Sequence, residues 1–146
     1  MASYVKIPDF VEHLAEKVHN LGSDTITIAL TNTAPGSEST PPTGDGDGVL
    51  ANLTQVSYTN CSSRVITMSA SAQTSGTYKL TASDLVLTAS GGSVGAFRYL
   101  YAYNDTPTSP ADPLISYYDY GSSLTLNDGE SLTLDFDASN GMLQLA

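Results

Sequence analysis

The spacing of apolar residues changes character early in this chain. Over residues 8 to 21, Phe10, Leu14, Val18 and Leu21 fall at i, i+4, i+8 and i+11, with Val11 and Ala15 beside them. That spacing lines one face of an amphipathic α-helix. Pro8 suits the first helical position, where a missing N–H is harmless. Asp9 and Glu12 complement the positive end of the helix dipole, and Gly22 is placed to stop the helix in a left-handed cap. From Thr25 the period becomes two. Ile26, Ile28 and Leu30 alternate with Thr25, Thr27 and Ala29, which predicts a strand with one buried face.

Residues 31 to 48, rich in Pro, Gly, Ser and acids, predict a long exposed loop. Between 49 and 60, Leu50, Leu53 and Val56 fit either a helical turn or an irregular strand. Arg64 to Ser71, Thr77 to Thr81 and Leu85 to Ala89 read as strands, with a turn near Gln73 to Gly76. In Ala96 to Asn104, Phe97, Tyr99, Tyr101 and Tyr103 share one face, while Arg98, Leu100 and Ala102 share the other. Both faces carry apolar groups, which predicts a central strand. A Pro-containing turn, Asp105 to Pro113, leads to a strand over Leu114 to Tyr120. Leu124 and Leu126 are expected to pair with Leu132 and Leu134 across Asn127-Asp128-Gly129-Glu130. Phe136 continues that face, and Met142 to Leu145 reads as a last short strand.

About eight strands after one helix, separated by Gly, Asn, Asp and Pro turns, predict a mainly β fold. The expected form is a single antiparallel jelly-roll-like sandwich with one N-terminal amphipathic helix. Residues 1 to 7 form an N-terminal arm, and 25 to 146 the sheet region.

Composition narrows the function. Fifteen Asp plus Glu against 5 Lys plus Arg give a net charge of -10 over 146 residues. Nucleic-acid binding needs a basic face, and anionic lipid attracts basic segments, so neither partner is expected. No apolar run is long enough to span a bilayer. No long apolar region marks a secretory signal, and the single cysteine, Cys61, fits a reducing compartment. Synthesis in a cytoplasm is the expectation.

Catalytic chemistry is sparse. His13 and His19 are misaligned for a metal pair at i, i+4. Asp45-Gly-Asp47-Gly starts like a calcium loop, but Val49, Leu50 and Ala51 follow where further oxygen ligands belong. Asp135 and Asp137, with Asp119 as a distant third, are the one carboxylate set to nominate for hydrolysis, and a solvated acidic face is the simpler reading. No enzyme activity, cofactor or metal is expected. The recognition candidates are aromatic and apolar: Tyr99, Tyr101, Tyr103, Tyr117, Tyr118 and Tyr120, with Tyr4, Val5 and Ile7 in the arm. Tyrosine combines a large contact area with a polar tip. A tyrosine-lined core is the competing reading for the sheet residues, and a frayed tail for the arm.

Four stretches carry a resemblance: Phe10 to Pro35, Ser71 to Leu80 (SAQTSGTYKL), Ser90 to Asp105 (SGGSVGAFRYLYAYND) and Tyr118 to Ala146, which opens with YDYG. Together they resemble a family of small tailed-bacteriophage virion proteins. Relatives favour Trp near YDYG, where this chain has Tyr118 and Tyr120. The resemblance implies a head decoration, or cement, protein: β-rich, homotrimeric, and clamping the major capsid protein from the capsid exterior. A tail or fibre accessory protein and a carbohydrate-binding jelly roll with tyrosine platforms are the alternatives.

Overall fold

The computed structural model describes residues 2–146. The fold is mainly β, with antiparallel pairing throughout the sheets and one short helix. Strand β1 (Tyr4–Lys6) precedes helix α1 (Asp9–Ala15). Then come β2 (Ile26–Thr31), a 3-10 turn at Leu50–Asn52, β3 (Met68–Thr74), β4 (Thr77–Ala82), β5 (Leu85–Thr88), β6 (Val94–Asn104), β7 (Leu114–Leu126), β8 (Ser131–Leu134) and β9 (Leu143–Leu145). A four-stranded sheet has the order β1-β7-β6-β2, a three-stranded sheet β3-β4-β9, and β5 pairs with β8.

The helix is half the expected length. Lys17 adopts a left-handed φ of 66°, and the Val18 amide bonds back to the His13 carbonyl at 2.8 Å. The left-handed stop therefore falls at Lys17, and Gly22 has no positive φ. Seven residues cannot hold a helix by hydrogen bonding alone. Packing does it: Phe10 is 1% exposed, and burying such a side chain contributes roughly 2–3 kcal/mol. Leu21 reaches the core without the helix continuing to it.

Strand β2 is buried at all six positions, on both faces. The expected single buried face fails because the Thr27, Ala29 and Thr31 face is covered as well, with Thr31 Oγ1 donating to the Thr54 carbonyl; the chain after the long loop also takes the free edge of β2. Thr31 bridges Gln55 and Thr27 bridges Val65, and the Ile66 amide donates to the Ile26 carbonyl at 2.9 Å. On the other edge, β2 pairs with β6 from Ile26↔Asn104 to Thr31↔Tyr99. Ile26, Ile28 and Leu30 thus share a face with Leu100 and Ala102, while Thr27, Ala29 and Thr31 share one with the tyrosines of β6.

The anticipated pairing of Leu124 and Leu126 with Leu132 and Leu134 does not form. Val94 partners Leu126 and Phe97 partners Leu124 in the four-stranded sheet, whereas β8 pairs with β5. The turn itself exists: the Glu130 amide donates to the Asn127 carbonyl at 2.9 Å. It is pinned sideways, with the Gly129 amide on the Ala89 carbonyl at 2.8 Å. Those bonds hand the chain from one sheet to another. A single buried cluster joins Ile28, Leu30, Leu80, Leu87, Leu126, Phe136 and Leu143 across all three sheets.

Candidate functional site

The nine residues expected at an interface divide sharply by exposure. Ile7 and Tyr101 are fully buried, and Tyr99 and Tyr103 nearly so. Tyr4, Tyr117 and Tyr118 are half-buried. Val5 (39%) and Tyr120 (45%) are exposed. The tyrosines of β6 are core residues, because the segment after β2 covers their face. The Tyr101 hydroxyl donates to the Thr33 carbonyl at 3.2 Å, and Thr31 Oγ1 donates to the Thr54 carbonyl at 2.6 Å. A buried ring offers no face to a sugar or a partner. Burial pushes the Tyr101 hydroxyl well above the usual tyrosine range. Burial first, then the neighbouring Tyr4, pushes Tyr118 up to about 12.

The expected arm is a strand of the domain. Tyr4, Val5 and Lys6 pair with Tyr118, Tyr117 and Ser116 of β7, and the Ile7 amide donates to the Ile115 carbonyl. Tyr120 stands on a bulge. Between the pairs Tyr99↔Asp119 and Phe97↔Leu124, four residues of β7, Tyr120 to Ser123, lie opposite the single Arg98 of β6. Gly121 turns there with φ 92°, and its amide donates to Asp119 Oδ1 at 2.8 Å. Arg98 grips the same carboxylate at 2.8 and 2.9 Å. The guanidinium bonds, then the Gly121 amide, hold Asp119 below the usual carboxylate range.

The nominated carboxylates do separate jobs. Asp137 caps a turn, accepting from the Ser139 and Asn140 amides at 2.7 and 2.9 Å and from the Asn140 side chain. Those bonds lower its pKa. Asp119 is committed to Arg98, and Asp135 is exposed.

Two arrangements escaped the sequence reading. Because the chain leaves the helix at Lys17, His13 and His19 come together, with ring centroids 5.9 Å apart. His19 is buried against Phe10, and the Asn104 amide donates to its Nδ1 at 3.1 Å. Burial, reinforced by His13 and opposed by Asp24, lowers the His19 pKa to about 4. In addition, the long loop is not wholly exposed: Pro42, Thr43, Gly44 and Gly48 are buried. Buried Asp9 draws it in, accepting from the Gly46 amide at 3.2 Å and the Gly48 amide at 2.8 Å. Carboxylate oxygens of Asp9, Glu12 and Asp45 lie within 4.8 Å of one another, and the first is already engaged by those amides. The acid at position 9 on one side and the Gly-Asp-Gly pattern on the other were the available signals, but nothing in the sequence joined them.

The chain matches no family model, no curated protein and no solved structure. Among the described residues, no helix is long and apolar enough to cross a membrane.

Proposed function

We propose that this protein is a non-enzymatic virion component, a head decoration (cement) protein that binds the major capsid protein on the capsid exterior as a homotrimer. The observation that carries the adhesive reading is strand β3. It pairs with β4 alone, and Ser69 to Thr74 are all exposed. That stretch, Ser-Ala-Ser-Ala-Gln-Thr, has no charge and no proline. Soluble β proteins guard such edges with Lys, Pro or a cover, since an open row of N–H and C=O groups recruits another strand. Beyond the irregularity at Met68 to Ala70, the edge from Ser71 to Thr74 has neither a charge nor a proline, and an open edge on an anionic domain supports assembly with another chain. The likeness of the four stretches to tailed-phage virion proteins supports the same reading.

On this reading the sandwich is jelly-roll-like, and the crossing of the chain between sheets at Asn127 to Glu130 supports that form. The negative net charge keeps free protomers apart in the cytoplasm where they are made and disfavours nucleic acid and anionic membrane as partners. Several weak contacts per trimer add up through multivalency. The test is twofold. Light scattering at micromolar concentration is expected to give three times the protomer mass, and a strict monomer would overturn the trimer. Reconstruction of intact particles is expected to place many copies on the head; a few copies at the tail would favour a tail or fibre accessory.

A further inference from the structure

The strongest feature outside those edges is a trough running along β9. At one end, Tyr4 and Phe10 face Met142, Leu143 and Leu145 around a groove of about 320 Å³. At the other, Leu14, Leu21 and Leu145 line a wider groove of about 660 Å³ at the foot of α1. The two meet at Leu145. Each end carries one exposed lysine, Lys6 in the first and Lys17 in the second. Among the described residues no carboxylate pairs with either, and the ion pair found there is Arg98–Asp119. Of the five basic residues in a chain of net charge -10, two line this one trough.

The strands beside the trough define the occupant's conformation. Strands β1 and β9 border the trough, and each is hydrogen-bonded to one neighbour only, β7 and β4 respectively. Each therefore keeps a free edge able to take an added strand. His19, which is 6% exposed, lines the second groove. Its Nδ1 meets the Asn104 amide, and its Nε2 is closed off from solvent, so the ring forms part of the wall.

We propose that this trough is a docking site for an extended segment of a neighbouring polypeptide in which apolar residues alternate with Asp or Glu. The apolar side chains fill the floor between Phe10 and Leu145, the acidic ones meet Lys6 and Lys17, and the segment's backbone pairs with an open strand edge. The inference rests on the adhesive reading above and gives its partner a chemistry.

The test is selection from a random twelve-residue peptide display library on the full chain, beside a Lys6→Glu/Lys17→Glu variant. Both lysines are exposed, so the variant keeps the fold, which circular dichroism verifies. Selected peptides are expected to alternate apolar and acidic residues and to bind the variant at least tenfold more weakly. In nuclear magnetic resonance they should shift amide signals of Tyr4 to Lys6 and Leu143 to Leu145. A Leu145→Asp variant should lose them as well. Peptides without acidic residues, equal binding to the variant, or no selected peptide would each overturn the proposal. A chain found on phage heads that selects no acidic peptide sinks the trough and leaves the decoration reading; a chain absent from particles that still selects them does the reverse.

Discussion

Asp9→Ala separates tertiary tethering from helix propensity. Asp9 opens α1, yet its carboxylate works on a loop almost forty residues away, taking the Gly46 amide at 3.2 Å and the Gly48 amide at 2.8 Å. Hydrogen bonds to a charged group contribute roughly 1.5–3 kcal/mol each. The Gly46 bond is long and next to solvent, so about 1 kcal/mol is reasonable for it. Gly48 is buried, and in Asp9→Ala its amide loses a short bond and gains no water, a cost of about 2 kcal/mol. The sum, about 3 kcal/mol, corresponds to a fall in Tm of about 6–12 °C for a domain of this size. Asp9→Asn keeps one oxygen for Gly48 and presents an NH2 group to Gly46, so it should lose only about 1 kcal/mol. Urea denaturation measures both, and hydrogen exchange should show the Gly48 amide deprotected in the alanine variant. The Gly48 carbonyl also accepts the Leu114 amide at 2.8 Å, so faster exchange should spread to the start of β7. Equal losses in the two variants, or a loss below about 1 kcal/mol for alanine, would refute this reasoning.

Gly141→Ala should destabilise by at least 1–3 kcal/mol, because Gly141 sits at φ 81° and an added Cβ would lie 2.6 Å from the Leu80 carbonyl oxygen; a melting curve unchanged from the parent would contradict that close approach. His19 makes stability depend on acidity. Its folded pKa of about 4 lies below the usual 6.5, so between those values the unfolded chain binds more protons. Stability is therefore fully present above about pH 6.5 and falls as pH drops towards 4, by on the order of 3 kcal/mol. In His19→Asn that slope should flatten in urea titrations across the window, and an unaltered slope would assign it to other groups. Tyr120→Ala, at an exposed bulge, should change stability by less than about 0.5 kcal/mol while weakening attachment to particles in a co-sedimentation assay; full retention on particles would remove Tyr120 from the interface.

The sequence was most legible where the physical cause is local. Alternation in Thr25 to Leu30 marked β2, and the apolar spacing after Pro8 marked α1. The tyrosine run of β6 read as a central strand on periodicity alone. Partners at long range were not legible. The Leu124–Leu126 and Leu132–Leu134 pairs flank a sound turn, yet they belong to different sheets because Ala89 binds that turn from the side. The β6 tyrosines fitted an interface as well as a core. Contacts from other segments, the Thr33 carbonyl on its hydroxyl and the Tyr117 ring 5.5 Å away, make Tyr101 a core residue, while the bulge at Gly121 leaves Tyr120 outside.

By itself, then, the amino-acid order determined a mainly β chain with an amphipathic helix near its start, expected over residues 8 to 21 and formed over Asp9–Ala15, and a strongly anionic character. Those properties follow from neighbours a few residues apart, where side-chain period and composition act directly. The tertiary structure decided which edges remain open, which tyrosines are hidden, how His19 meets His13, and how Asp9 holds a distant loop. Each depends on contacts between segments far apart in the chain, whose free energy is realised only once the sheets have come together.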